Sequence, residues 1–284
     1  MGKQKHTILI LGASGFIGNA IYKELLSYFE VYATYATEND FYSENQVFRK
    51  YDVAENDITE ILNIVQPTVI ISALRGDYKM QFHAHKAVAI YVRNHHHCKL
   101  LYLSSVDVFD GQYELPSYET NKPVAESEYG KFKLSVERML LEKIPAQLVI
   151  LRLPMVLGVN SPRIVQLRQA MKYKAAFEVY PNLIISLTTA DKIAQQIHYI
   201  INKQLDGVFH LSSVDMVHHE DLFRELSEKL GAEVPVFKSV FKRNDDGYLA
   251  ILPKYNKLPK EYNITVSEVI EASTLKDEIF TLKN

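Results

Sequence analysis

The sequence predicts an α/β fold: a doubly wound parallel sheet with helices on both faces, followed by a smaller second part. Three observations lead to this. From Thr7 to Leu153, short apolar and β-branched runs alternate with stretches of helical periodicity. A glycine-rich turn joins the first apolar run to the first amphipathic stretch. Beyond Pro154 the alternation loosens.

Thr7–Leu11 (TILIL) is continuously apolar, as expected of a strand buried on both faces. Phe16, Ile17, Ala20, Ile21 and Leu25 then recur at helical spacing. Val31–Tyr35 reads as a second strand and Val47–Val53 as a third. Asn56 or Asp57 is placed to cap a helix whose stripe is Ile58, Ile61, Leu62 and Val65. Thr68–Ala73 is a fourth strand, and a helix around Phe82–Arg93 leads to a fifth, Lys99–Ser105. Tyr129–Lys143 is a helix stopped by Pro145, and Gln147–Leu153 is a sixth strand. In the second part, Pro162–Tyr173, Asp191–Ile201 and His219–Leu230 read as helices, the last with Gly231 as its C-cap. Leu183–Leu187 and Val208–Leu211 read as strands.

The chain has 284 residues, 47 % of them hydrophobic and 23 % charged, with 32 Lys and Arg against 34 Asp and Glu. That composition supports a sizeable core, and the near balance supplies no field for nucleic acid or an anionic membrane. With Cys98 as its one cysteine the chain forms no internal disulfide. No apolar run approaches a membrane span, and Ile8–Leu11 is too short for a signal-peptide core. A soluble, cytoplasmic protein is expected.

The first chemical signal is Gly12-Ala13-Ser14-Gly15-Phe16-Ile17-Gly18, with a strand before it and a helix after. A glycine at the strand end permits a sharp turn, missing side chains let the backbone approach a pyrophosphate, and the helix presents free N–H groups to it. Gly12, Ser14, Gly15, Phe16, Ile17 and Gly18 are therefore candidate dinucleotide-binding residues. The spacing is G-x-x-G-x-x-G. No acid ends the second strand, which favours NADP; NAD stays open because Glu38 or Asp40 could reach back to the ribose.

The second signal is Tyr129 and Lys133, four apart and so on one helix face. A neighbouring ammonium would favour the phenolate and bring the tyrosine towards the range of useful proton transfer. Ser105 ends the fifth strand at the carboxyl edge of the sheet, where its hydroxyl could hold the reacting oxygen.

Together, the glycine turn, Ser105 and Tyr129-x-x-x-Lys133 resemble the extended short-chain dehydrogenases/reductases, and most of all the dTDP-4-dehydrorhamnose reductases. That family carries S-T-D-Y-V-F-D-G; here the stretch is Ser104-Ser105-Val106-Asp107-Val108-Phe109-Asp110-Gly111. Tyr118-Glu119 and Pro123 precede Tyr129-Gly130-Lys131-Phe132-Lys133, Glu137 follows, and Leu151-Arg152 with Gly158 matches the family's L-R-x-x-x-x-x-G. The resemblance implies a Rossmann-type domain over residues 1–158 that binds NAD(P). It implies a mainly substrate-binding part over 159–284, with segments around 183–212 returning to the first domain. It also implies Ser105, Tyr129 and Lys133 as the catalytic set, Lys133 binding the nicotinamide ribose as well. Asp52 and Val53 would sit by the adenine, and Ala73, Leu74 and Pro154 would line the nicotinamide side. The substrate would be a nucleotide-activated sugar or similar carbonyl compound, and a homodimer is compatible.

The departures bear on substrate. Val106 stands where the family has Asp, Ile71-Ser72-Ala73-Leu74-Arg75-Gly76-Asp77-Tyr78 replaces its segment after the fourth strand, and Phe132 replaces the serine before the lysine. Related dehydratases carry Asp-Glu after the catalytic threonine; Val106-Asp107 argues against dehydration. Val106, Asp107, Arg75 and Arg163 are the candidate substrate residues, Arg75 for a phosphate or carboxylate. The rival readings are an epimerase with tightly held NAD, and a dinucleotide-binding regulatory subunit like the β subunit of methionine adenosyltransferase, which shares the resemblance. His95-His96-His97-Cys98 are consecutive and cannot converge on one metal, so they read as a polar helix end. His83, His85, His218 and His219 read as surface residues.

Overall fold

A computed structural model describes residues 6–37, 40–231, 233–241 and 244–275. The chain begins β1 (Thr7–Leu11), α1 (Phe16–Leu25), β2 (Glu30–Tyr35), α2 (Asp40–Ser43), β3 (Phe48–Lys50), α3 (Ile58–Val65), β4 (Val69–Ser72), α4 (Tyr78–Asn94) and β5 (Lys99–Ser105). A short 3-10 turn (Val106–Phe109) precedes α5 (Glu128–Lys143), β6 (Leu148–Leu153) and β7 (Met155–Leu157). Then come α6 (Pro162–Tyr173), β8 (Ala176–Val179), β9 (Leu183–Ile185), β10 (Leu187–Thr189), α7 (Ala190–Lys203) and β11 (Gly207–His210). Last are β12 (Val217–His218), α8 (His219–Leu230), β13 (Val236–Ser239), β14 (Gly247–Leu249) and α9 (Val266–Thr274).

Seven strands form one parallel sheet in the order β11-β6-β5-β4-β1-β2-β3. This is the Rossmann-type doubly wound arrangement. The chain runs outward from β1 to β3 and then restarts beside β1 at β4, so a crevice opens beyond the carboxyl ends of β1 and β4. Helices α3, α4 and α5 cover one face through Leu62, Val88 and Leu140; α1 and α7 cover the other through Ile21, Leu25 and Ile197. A third core, built on Leu167, Phe177, Phe223 and Ile270, gathers α6, β8, α8 and α9 in the C-terminal part. Within that part the chain returns to the main sheet, where β11 pairs with β6 and α7 packs on α1.

Several expectations are corrected. The third strand is shorter than Val47–Val53 because residues from Asp52 fold into a turn: Asp52 Oδ1 accepts from Ala54 N (2.8 Å) and Asn56 Oδ1 from Asp52 N (2.8 Å). Leu183–Leu187 is two strands, since β9 pairs with β12 and β14 while β10 pairs with β7. The break falls at the fully buried Ser186, whose Oγ accepts from Ile251 N (3.1 Å). Gly231, as expected, is the C-cap of α8, in extended backbone, its N–H donating to Ser227 O. Asp57 caps α3 by accepting from Thr59 N (2.9 Å). His85 and His219 are not surface residues; both are buried. No helix among the described residues is long and apolar enough to cross a membrane.

Candidate active site

The glycine turn sits at the carboxyl end of β1. Gly12 has a φ of +81°, and a Cβ there would stand 2.7 Å from the Ala73 carbonyl oxygen, so the β1 and β4 ends approach more closely than any side chain allows. At Gly18 a Cβ would meet Gly12 O at 2.3 Å. Gly12 N donates to Thr34 Oγ1 (2.8 Å), which ties the turn to β2. Gly15 is the N-cap of α1 without a side-chain cap, so the first amides of the helix lie open at its positive end.

Across the crevice α5 brings in Tyr129 and Lys133. The helix can lie this close because residue 130 is glycine: a Cβ would fall 2.2 Å from Asp107 O in the 3-10 turn. Ser127 caps the helix through Gly130 N (3.0 Å), and buried Asp110 accepts from Glu126 N (2.5 Å) and Ser127 N (3.2 Å). Beneath, Arg152 of β6 forms a buried fork with Glu137 of α5 (3.0 and 2.8 Å), and Ser104 Oγ donates to the same carboxylate (2.5 Å). Breaking one half of such a pair costs about 3–5 kcal/mol. Glu137, Arg152 and Ser104, three positions of the resembled motifs, therefore lock α5 to β5 and β6. The Glu119 carboxylate accepts from Lys254 N (3.1 Å) and Tyr255 N (3.2 Å), joining the loop before α5 to the C-terminal part.

The cleft holds about 360 Å³. Tyr129, 38 % exposed, is hydrogen-bonded to buried Ser105, whose Oγ donates to Asp107 Oδ2 (2.5 Å). Burial pushes the Tyr129 phenol up to about 12, with the Asp107 charge adding to it; the Ser105 hydrogen bond and the Arg75 charge act against the rise. Lys133 is buried and donates to Leu103 O (2.9 Å), with Nζ 5.8 Å from the Tyr129 ring centre. Burial brings its ammonium down to about 8, against Glu137, which holds it up. Arg75 is thus a second cation beside the phenol, together with Lys133 one helical turn away.

Of the residues expected here, Gly15, Phe16, Ile17, Gly18, Ala73, Leu74, Arg75, Tyr129 and Lys133 line the cleft. Gly12 shapes it from below, Ser105 and Asp107 reach it through Tyr129, and Val53 lies under the adjoining turn, where a Cβ on Gly76 would meet it. Ser14 is an exposed residue of the glycine turn, Asp52 is committed to its own turn, and buried Pro154 follows the cleft residue Leu153; none of these three lines the cleft. Val106 is a core residue packed with Phe109, Leu134 and Ile251, so it does not face a substrate in this cleft. Arg163 is placed elsewhere, in the C-terminal part. It stacks on Phe177 (4.3 Å) and donates to Glu178 O (3.0 Å) and Gln166 Oε1 (2.7 Å). Glu38 and the side chain of Asp40 lie outside the described residues.

Tyr78 and Gln81 also line the cleft and were not anticipated. Tyr78 stacks on Phe132 (4.7 Å), so two departures from the resembled family, the segment ending at Tyr78 and Phe132 itself, meet here. Gln81 belongs to a buried chain. His85 Nδ1 bonds Gln81 O (2.6 Å) and its Nε2 bonds Ser72 Oγ (2.8 Å), while Gln81 Nε2 donates to Gly76 O (2.7 Å).

The family model described as the RmlD substrate binding domain matches residues 6–248. The β subunit of methionine adenosyltransferase 2 from Danio rerio is 30 % identical over 164 residues, 53 % of this chain and 48 % of that protein. The match thus spans about half the length of that relative. The fold is shared with dTDP-4-dehydrorhamnose reductase from Bacillus anthracis, solved in complex with NADP, at TM-score 0.75 and 17 % identity over 96 % of this chain and 99 % of that one. It is shared too with UDP-glucose 4-epimerase from Thermotoga maritima, solved with UDP-glucose, at TM-score 0.78 and 17 % identity over 94 % and 97 %.

Proposed function

This chain belongs to the RmlD substrate binding domain family, and on that premise we propose that it is an NAD(P)-dependent reductase acting on a keto group of a nucleotide-activated sugar or a similar polar carbonyl compound. The observation that carries the reading is that Tyr129, Lys133 and the glycine turn line one cleft at the switch point of the sheet.

The residues fit a dinucleotide. Gly12 and Gly18 let the ends of β1 and β4 and the start of α1 pack backbone to backbone, which shapes the turn, and the uncapped start of α1 offers amides to a pyrophosphate. Asp52 and Val53 would lie towards the adenine, with Ala73, Leu74 and Pro154 on the nicotinamide side and Lys133 at its ribose. NADP is the favoured form, since Thr34 near the end of β2 is turned to Gly12 and offers no charge against a 2′-phosphate. When bound, the reduced nicotinamide supplies hydride to the carbonyl carbon.

The chain's own residues then handle the proton. With its phenol near 12, Tyr129 is protonated at neutral pH, the state a general acid needs to donate to the carbonyl oxygen. Asp107 accepts the Ser105 hydrogen bond and so fixes that hydroxyl beside the tyrosine. The phenolate left after transfer is supported by the charge of Arg75 and by Ser105 once its O–H turns from Asp107 to the phenolate oxygen. Lys133, held on the Leu103 carbonyl, keeps its ammonium within the site.

Titration with NADPH and NADH, followed by nicotinamide fluorescence, tests the nucleotide site. Turnover on a panel of 4-keto nucleotide sugars and other carbonyl compounds tests the chemistry. Tyr129→Phe is expected to bind NADPH as the wild type does and to lose turnover by about 100-fold or more. A protein that binds neither nucleotide would sink the reading. The likeness to the methionine adenosyltransferase subunit favours one alternative, a nucleotide-binding subunit of a larger enzyme. A co-purifying protein partner whose activity is indifferent to Tyr129→Phe would support that instead.

A further inference from the structure

We infer that Arg75 determines the substrate specificity of this cleft by binding a carboxylate on the carbon next to the carbonyl that is reduced. The inference rests on the reductase reading and deepens it.

Arg75 lines the cleft beside Tyr129 and makes no hydrogen bond or ion pair with a described residue. Its five N–H donors are thus uncommitted. The acid closest in sequence, Asp77, is engaged elsewhere, capping α4 through Met80 N (3.0 Å). Asp107 faces Ser105.

The backbone beneath Arg75 is held in place. Gly76 takes a φ of +124°, which side chains avoid, and a Cβ there would meet Val53 at 2.9 Å. Its carbonyl is fixed by Gln81, whose own carbonyl is fixed by His85, whose far nitrogen is fixed by Ser72 at the end of β4. The Gln81 carbonyl can only accept, so His85 Nδ1 carries the proton and Nε2 accepts from Ser72. Four residues in series thus anchor the arginine-bearing turn to the sheet. Such support suits a side chain that must meet a partner at a set position.

The charge pattern points to an anion. Arg75 lies close enough to Lys133 to oppose its charge, and an anionic group in the cleft would relieve that repulsion. The dinucleotide pyrophosphate is assigned to the glycine turn at the start of α1, whereas the Arg75 charge acts on Tyr129. The diphosphate of a nucleotide sugar is also set apart, since it sits on the anomeric carbon, across the ring from a 4-keto group. Arg75 and Tyr129 line the same cleft and the Arg75 charge reaches the phenol, which puts the anion on the reacting side of the substrate. A planar guanidinium best matches a carboxylate there, through two parallel hydrogen bonds.

The test is calorimetric titration of the NADP-loaded protein with UDP-glucuronate and UDP-glucose, which differ by one carboxylate in place of a hydroxymethyl group. UDP-glucuronate is expected to bind at least about ten-fold more tightly. Arg75→Gln should bring the ratio to near one while leaving the NADPH fluorescence titration at the wild-type value. Equal affinity for the two sugars, binding of neither, or a preference that survives in Arg75→Gln would each overturn the carboxylate assignment. If NADPH itself does not bind, the reductase reading falls and this inference with it, a result distinct from the other three.

Discussion

The two edges of the central sheet carry cavities with similar side chains and opposite degrees of commitment. At the amino edge, a cavity of about 240 Å³ is lined by His6, His96, His97 and Lys99 over Val69, Leu101 and Ile201. Its cation is satisfied: Lys99 pairs with Asp206 (2.5 Å) and also reaches Gln204 O (3.4 Å). Gln147 there donates to the carbonyls of Val92, His95 and Cys98. At the carboxyl edge the polar groups are either buried against their preference, as Lys133 is, or left open, as Arg75 is. Spare bonding capacity and perturbed acids, rather than charge count or cavity size, separate a site from a seam.

The largest expected effect lies at the turn that opens the carboxyl edge. Gly18→Ala puts a methyl group 2.3 Å from a backbone carbonyl that has no room to retreat, because Gly12 is itself pinned against Ala73. NADPH affinity should fall by about 100-fold or more, roughly 3 kcal/mol, with circular dichroism showing a sheet still formed. An affinity within a few-fold of wild type would mean that the nucleotide does not use this turn, and the contrast between the edges would lose its basis.

The sheet was legible because each buried parallel strand is a run of apolar residues, and Lys99–Ser105 and Pro162–Tyr173 match the observed elements residue for residue. The glycine turn and the Tyr129–Lys133 spacing were legible for a related reason, since both are local in sequence. What stayed hidden depends on contacts between distant residues. Leu183–Leu187 carries strand-like residues throughout, and distant partners divide it: β7 takes one half, β12 and β14 the other, with Ile251, 65 residues after Ser186, bonded at the break. Arg163 was a reasonable substrate candidate by type, but Phe177 and Phe223 take its guanidinium in the C-terminal core. The direction in which Lys133 points was equally unreadable, because its acceptor is a main-chain carbonyl 30 residues away.

The buried histidines give the next effect. Burial holds His85 at about 4, His210 at about 3 and His219 at about 4, with Lys133, Arg152 and Arg163 respectively reinforcing the shift. In the unfolded chain each takes up a proton near 6.5. Between pH 6.5 and 4 the unfolded state therefore binds more protons than the folded one, so stability is full above that window and is lost as pH falls through it. At pH 5 the loss is about 2 kcal/mol per histidine. Urea midpoints at pH 7.5 and pH 5 measure it, and His219→Gln should flatten the acid limb by about one histidine's share. A flat profile in the wild type would show that these three rings titrate normally and that the buried polar chain under Arg75 is looser than described.

The smallest effect belongs to the amino edge, and its smallness is the point. The Lys99 and Asp206 side chains are 31 % and 58 % exposed, so water screens their attraction and ordering two flexible side chains costs entropy. Asp206→Asn should cost less than about 1 kcal/mol in urea unfolding, the difference should shrink further in high salt, and the NADPH titration should not move. Lys99 would keep the Gln204 carbonyl as a partner and need not turn into the cavity. If Asp206→Asn instead changed NADPH affinity, the two edges would be energetically coupled through β5, which runs from Lys99 at one end to Ser105 at the other, and the amino-edge cavity would have to be treated as part of the site.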